Sequence, residues 1–174
     1  MKKYISMMAM ALMLSMGFSA CDVETNEKPG GVNIEKMCGY WDVTIDAIDD
    51  AGNVVFEDPY GMGVVSLYTY NNAANSTTQM FLDDRGEFWA YKFLVDIDYN
   101  ARTFAATERD YDADGTGKAV VTNGKIVENG GTNLHGKPCD TIEFEIWFSD
   151  DDNAAAYGFT KYHIHGTRHT GFTE

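Results

Sequence analysis

The stretch MCGYWDVTID, Met37–Asp46, opens the first region of the chain that carries the pattern of a folded strand. From Tyr40 to Ala47, Trp41, Val43 and Ile45 alternate with Asp42, Thr44 and Asp46. A period of two with one polar side marks an antiparallel strand that buries one face. The alternation recurs in Phe88–Ile97, where Trp89, Tyr91, Phe93, Val95 and Ile97 share a face. It recurs again in Thr141–Ser149, where Ile142, Phe144, Ile146 and Phe148 oppose Glu143 and Glu145. Weaker strand patterns fit Val54–Glu57, Val64–Tyr70, Thr77–Leu82, Thr103–Glu108, Ala119–Thr122 and Gly158–Thr167. Turn clusters separate many of them: DDAGN, DDRG, DADGTG, TNGK and SDDDN. Within TNGK, Asn123-Gly124 is the strongest short hairpin signal of the chain. After the first 20 residues no amphipathic helix longer than about two turns is expected. Roughly eight or nine evenly spaced strands predict an all-β domain, either a closed barrel or a sandwich.

Working back toward the start, residues 1–20 read as a secretory leader. Lys2 and Lys3 precede an uncharged run, Tyr4–Ala20, that is short for a membrane span and ends in small residues. Phe18-Ser19-Ala20 before Cys21 resembles a lipobox, with Phe18 in the position usually held by Leu. That resemblance implies cleavage before Cys21 and its acylation, and several acyl chains together anchor a protein stably. Residues 21–33, polar and bearing Gly and Pro, read as a flexible tether, and residues 34–174 as one domain. Without the leader, 11 basic and 27 acidic residues remain, a net charge of −16. Such a surface repels phosphate backbones and anionic headgroups, which argues against nucleic-acid binding and leaves membrane contact to the lipid anchor. Cys38 and Cys139 would meet an oxidising compartment, where a disulfide is allowed. Nothing in the sequence fixes their separation, so a Cys38–Cys139 bond and two buried thiols stay open.

Gly39-Tyr40-Trp41 resembles the short signature at the start of the first strand of lipocalin-like barrels. There the Trp plugs the closed end and a basic residue near the end of the last strand packs over it. In an up-and-down barrel the first and last strands are antiparallel neighbours, so the start of one lies beside the end of the other. Arg168, in YHIHGTRH, stands at that place and shares a face with Tyr162 and Ile164. Its guanidinium could stack on Trp41, a contact worth about 0.5–2 kcal/mol. The likeness extends to a family of small Bacteroidetes lipoproteins, the lipid-binding putative hydrolases. It rests on Thr122-Asn123-Gly124-Lys125, Phe144-Glu145-Ile146, Phe148-Ser149-Asp150-Asp151, Arg168 and Thr170-Gly171-Phe172. It implies a lipocalin-like, up-and-down antiparallel barrel of about eight strands on a lipid anchor. Asp22, Glu24 and Glu27 after the Cys are similar to the export signal of outer-membrane lipoproteins in that phylum. In other Gram-negative bacteria Asp22 would instead suggest inner-membrane retention; the expected location is the cell envelope, in the outer membrane by the resemblance, facing the periplasm or the exterior.

The residues offer several chemistries. In a barrel of about eight strands, Trp89, Tyr91, Phe93, Phe144 and Phe148 would point inward. They would line a pocket for a small apolar, lipid-like ligand, or they would fill a packed core. Asp110, Asp112 and Asp114, followed by Gly115, resemble the start of a calcium loop, although Val121 holds the place of the chelating acid. The alternative is a solvated hairpin tip, and SDDDN (Ser149–Asn153) reads the same two ways. His163 and His165 share a strand face, a spacing compatible with a Zn or Cu pair or with two exposed side chains. His169 is near them, and His135 sits in a Gly-rich loop. The serines after the leader are Ser66, Ser76 and Ser149, and none stands in a Gly-x-Ser-x-Gly elbow. No catalytic residue and no cofactor motif is assigned. The leading expectation is a barrel that takes a small apolar ligand at its open end. The second is a non-catalytic interaction lipoprotein with a filled barrel, and a hydrolase is third.

Overall fold

The computed structural model describes residues 31–112, 114–133 and 135–169. Cys21, the leader and Thr170-Gly171-Phe172 lie outside the described residues. The chain from Val32 onward forms a compact unit. Its strands are β1 (Gly39–Ile48), β2 (Val54–Glu57), β3 (Val65–Asn71), β4 (Gln79–Asp83), β5 (Lys92–Asp98), β6 (Thr103–Asp110), β7 (Lys118–Thr132), β8 (Pro138–Phe148) and β9 (Lys161–Arg168). A 3₁₀ turn, Glu35–Met37, precedes β1, and a six-residue helix, α1 (Asp152–Tyr157), joins β8 to β9.

All pairings are antiparallel, and β9 returns to β1, so eight strands close into an up-and-down barrel. The ninth, β2, lies on the edge of β1 that β3 also uses. β3 pairs the first half of β1, Gly39–Val43, and β2 pairs its end, Asp46–Ile48. The connection from Asp58 to Val64 therefore leaves the sheet and folds over one end of the barrel.

The inward positions of β1 are Trp41, Val43, Ile45 and Ala47, as alternation requires. They meet Leu67, Met80, Leu82, Val95, Ile146 and Ile164 from the other walls. Trp41, Met80, Leu82, Val95 and Ile146 are fully buried, at 0% exposure. Side chains with no surface open to a water-sized sphere touch neighbours on every side, so the interior at this level is solid.

One end of the barrel is sealed by the 3₁₀ turn and the residue before it, where Met37 and Ile34 are buried in the same cluster as Trp41. The Trp41 indole N–H donates to Thr69 Oγ1 at 2.9 Å, and the Thr69 hydroxyl donates to Met37 O at 2.6 Å. The buried indole thus keeps its hydrogen bond, which a Trp in an apolar core needs. Trp41 and Arg168 are cross-strand partners, and the guanidinium carbon lies 4.4 Å from the indole centroid. Arg168 also donates to Cys38 O at 2.7 Å and to the Asp140 carboxylate at 3.1 Å. Gly39 is a glycine because a Cβ there would collide with Arg168 Nη1 and lie 3.0 Å from the indole. Gly166 answers the same need on β9, where a Cβ would strike the β1 backbone at Asp42 and Val43.

Three local expectations are corrected. Asn123-Gly124 is no hairpin turn: β7 runs through it, and the pairing with β8 slips between Thr122 and Lys125. Asn123 takes φ 56°, the left-handed geometry that a tight hairpin and a bulge both use. The bulge moves the inward positions of β7 from Ala119 and Val121 to Ile126, which hides the period from a local reading. Phe88–Tyr91 is loop, and β5 starts at Lys92. Gly158–Thr160 is not strand either, since Gly158, at φ 79°, caps α1 before β9 begins at Lys161.

Cys38 and Cys139 carry free thiols. Cys38 directly precedes β1 and Cys139 lies in β8, and no bond joins them.

Trp41→Ala should lower the unfolding free energy by about 3–5 kcal/mol through loss of a fully buried indole. Gly39→Ala should cost about 1–3 kcal/mol by overpacking. Val54→Ala, at an exposed position of β2, should change stability by less than about 0.5 kcal/mol. Urea unfolding measures all three, and a Gly39→Ala protein as stable as wild type would refute the close-approach account.

Candidate functional site

The other end of the barrel gathers the chain's unusual side chains. It is built from the Asp58–Val64 connection, the β4–β5 loop, the β6–β7 loop and the β8–β9 connection containing α1. Two buried or half-buried carboxylates shape the loops. Asp58, at φ 41°, accepts from Met62 N at 2.8 Å and Gly63 N at 2.9 Å and so holds Tyr60 over the barrel end. Asp84, 2% exposed, accepts from Gly86 N, Phe88 N, Trp89 N and Ala90 N at 2.7–3.2 Å. Four amide donors satisfy a carboxylate that could not otherwise be buried. The sequence signal was DDRG, which reads as a turn but not as the loop that presents Phe88 and Trp89.

Those rings plug the mouth. Trp89 stacks on Phe148 at 4.8 Å and 9°, Phe88 meets Tyr162 edge-on at 5.0 Å, and Tyr111 meets Phe148 edge-on at 5.4 Å. Of the five aromatics read as inward, Tyr91, Phe93, Phe144 and Phe148 are only 1–4% exposed and form part of the packed core. Trp89 is half-buried at the rim and reaches this cluster from a loop rather than from a strand.

A polar ring lies over the plug. Tyr111 donates its hydroxyl to Asp150 Oδ2 at 2.5 Å, and Trp89 Nε1 donates to Asp150 Oδ1 at 3.2 Å. Tyr162 donates to Asp151 Oδ2 at 2.7 Å. The Tyr60 and Tyr162 hydroxyls are 2.7 Å apart, and the Tyr162 proton is already given to Asp151, so Tyr60 is the donor of that pair. Asp151 Oδ1 also accepts from Asn153 N at 2.9 Å, capping α1. SDDDN is therefore an acceptor loop for mouth phenols and a helix cap. Burial, and then the Asp150 hydrogen bond, push Tyr111 up to about 12. Burial and the partners Tyr60 and Asp151 raise Tyr162 still further.

Beside the plug is a cleft of about 350 Å³, lined by Phe56, Pro59, Tyr60, Asn153, Tyr157 and Phe159. Phe56, Tyr60 and Tyr157 are 42, 44 and 63% exposed, unusual for large rings on so acidic a domain. A larger surface groove, about 650 Å³, opens at the β7 bulge, but charged Asp96, Asp98, Lys125 and Glu143 edge it. A third cavity, about 360 Å³, borders Arg168, Asp140 and His169 at the sealed end.

Asp110, Asp112 and Asp114 do not converge. Asp110 pairs with Lys118, and Asp114 is exposed. Asp112 accepts from Thr116 N at 3.0 Å and from the Thr116 hydroxyl at 2.8 Å, as a turn cap does. The serine hydroxyls of Ser66, Ser76 and Ser149 meet the Tyr40 hydroxyl, the Thr78 hydroxyl and the Lys118 amide, respectively.

A closed eight-stranded antiparallel barrel, stoppered at one end by a Gly-x-Trp/Arg clamp, defines a lipocalin-like domain. The chain belongs to the lipid-binding putative hydrolase family, whose model matches residues 26–173. Among solved structures it is similar to a structural-genomics protein of unknown function from Bacteroides ovatus. The TM-score is 0.46 at 13% identity, over 79% of this chain and 43% of that one, so the chain spans less than half of that protein's length. No curated protein matches the chain.

The raised phenols set a pH limit. A group whose native pKa lies above its unfolded value stabilises the fold below the unfolded value and loses that contribution as pH rises. Stability should therefore fall between about pH 10, the ordinary tyrosine value, and about 12, where Tyr111 titrates. Alkaline unfolding followed by circular dichroism tests this. Asp150→Asn should bring the Tyr111 phenolate transition, read near 295 nm, toward its ordinary value; an unmoved transition would free Tyr111 from Asp150 control.

Proposed function

We propose that this protein is a lipid-anchored envelope domain that binds a lipid-like apolar ligand in the cleft beside its mouth. The observation that carries the reading is the set of exposed rings, Phe56, Tyr60 and Tyr157, around a half-open cleft of about 350 Å³. Ligand sites are mostly apolar hollows of about 300–1,000 Å³ with a few polar groups, and Asn153 and the Tyr60 hydroxyl supply those here. Family membership supports a lipid-like ligand through the family's description. The buried side chains that fill the interior favour this outer cleft over the barrel axis as the ligand's place. They also favour a second reading, in which the acidic domain has no small ligand and serves as an interaction module.

A fluorescent fatty acid, cis-parinaric acid, should bind the full chain saturably. Phe56→Asp and Tyr157→Asp should each weaken that binding at least ten-fold, while Val95→Ala in the interior leaves it unchanged. Equal affinity in all variants would remove the ligand from the cleft, and no saturable binding would favour the interaction module.

Anchoring rests on the lipobox-like Phe18-Ser19-Ala20-Cys21, and the acidic residues behind Cys21 favour the outer membrane. Labelled palmitate fed to expressing cells should enter the wild-type protein and not Cys21→Ser, which should move to the soluble fraction. Label retained in Cys21→Ser would end the proposal of an anchor at that residue.

A further inference from the structure

The barrel's closing seam carries a cluster that neither the mouth nor the sealed end uses. On the outer face, β1 places Asp46 opposite His163 of β9, and Thr44 opposite His165. One ligand atom from each of Asp46, His163 and His165 lies within 4.8 Å of the other two. His165 Nε2 is 3.1 Å from Asp46 Oδ2, and the two imidazoles stack with centroids 4.8 Å apart. All three residues are half-buried, so the sheet holds their backbones while the side chains keep access to solvent. This is the single group of three or more such ligands among the described residues.

We propose that Asp46, His163 and His165 bind one divalent first-row transition-metal ion, with Zn²⁺ the best-suited type, which ties the first barrel strand to the last. Zinc takes imidazole nitrogen and carboxylate oxygen at about 2.0–2.2 Å, which places neighbouring ligand atoms of a tetrahedral site about 3.3 Å apart. The Asp46–His165 edge is already close to that spacing, at 3.1 Å. His163 closes the remaining edges by turning a ring that is not sealed in the core. Two imidazoles among three donors select against Ca²⁺ and Mg²⁺, which want oxygen. When the ion takes Nε2, the hydrogen bond to Asp46 gives way and the neutral His165 ring carries its proton on Nδ1. Across the seam on β8, Glu145 faces His163 and Glu143 faces His165. Both are engaged elsewhere, Glu145 with Lys161 and Glu143 with Lys125, each at 2.5 Å. They add negative potential without serving as ligands. Three protein donors leave a fourth position for water, toward solvent.

The test is calorimetric titration of ZnCl₂ into the full chain, purified in detergent and stripped with EDTA, alongside two variants. Wild type should bind zinc at micromolar concentration and melt at a higher temperature with it. His163→Gln/His165→Gln should lose the tightest site or weaken it at least ten-fold. His169→Gln, whose imidazole pairs with Asp42, should bind as wild type does. The electron paramagnetic resonance spectrum of Cu²⁺ added to wild type should show coupling to two nitrogens, a readout that stands even if the double variant fails to fold. No wild-type binding up to millimolar zinc, unchanged affinity in a folded double variant, or a Cu²⁺ spectrum without nitrogen coupling would overturn the proposal.

Discussion

Closure of β9 onto β1 is the constraint on which the rest of the molecule depends. A sheet that meets itself has no free edge for β1 and β9 to expose, since the two strands pair with each other along the seam. The eight register pairs from Trp41–Arg168 to Ile48–Lys161 set the tilt and the diameter of the barrel. Gly166 lets the two strands approach at Asp42 and Val43, where any side chain would strike backbone. Gly39 makes room for a guanidinium stacked on an indole. The clamp is more than a cation over a ring, because Arg168 also holds Cys38 O and Asp140 and thereby pins the 3₁₀ turn and the start of β8 to the seam.

A barrel of this size filled by Trp41, Met80, Leu82 and their neighbours has little space to offer on its axis. The hollows described above lie outside its walls. The interruption between β2 and β3 brings Tyr60 across the mouth, and α1 brings Asn153 and Tyr157 toward it. The cleft between them depends on departures from the simple up-and-down plan, and this is why a shared fold does not fix a shared ligand.

The mouth also gives the abundant carboxylates a use. With 27 acidic residues against 13 basic ones, many acids have no cation to pair with. Asp84, Asp150 and Asp151 instead accept from amides, phenols and an indole. Such bonds satisfy the carboxylate oxygens without a counter-ion, and those from Tyr111 and Tyr162 raise the phenols' affinity for their protons. The aromatic plug is thereby locked from above by groups that a reading of net charge would count only as repulsion.

The meeting of Trp41 and Arg168 was implied by the resemblance to lipocalin-like barrels and decided by the pairing of β9 with β1. Alternation by itself determined the all-β class and the inward faces of β1 and β8. These are local facts, because a side chain's face is set by its parity along its own strand. Parity failed where the backbone used left-handed geometry. The bulge at Asn123 and a hairpin turn share the same positive φ, and only the register of β7 against β8 tells them apart. It failed again at Phe88 and Trp89, whose place is dictated by Asp84 taking their amides rather than by a strand period. The His163–His165 spacing could be read along one strand, but the cleft and the place of Asp46 beside those histidines were beyond any local reading. Phe56 lies about a hundred positions from Tyr157, and Asp46 more than a hundred from His163, along the chain. Only tertiary pairing of β1 with β9, and the folding of the connections over the mouth, decided that those side chains would become neighbours.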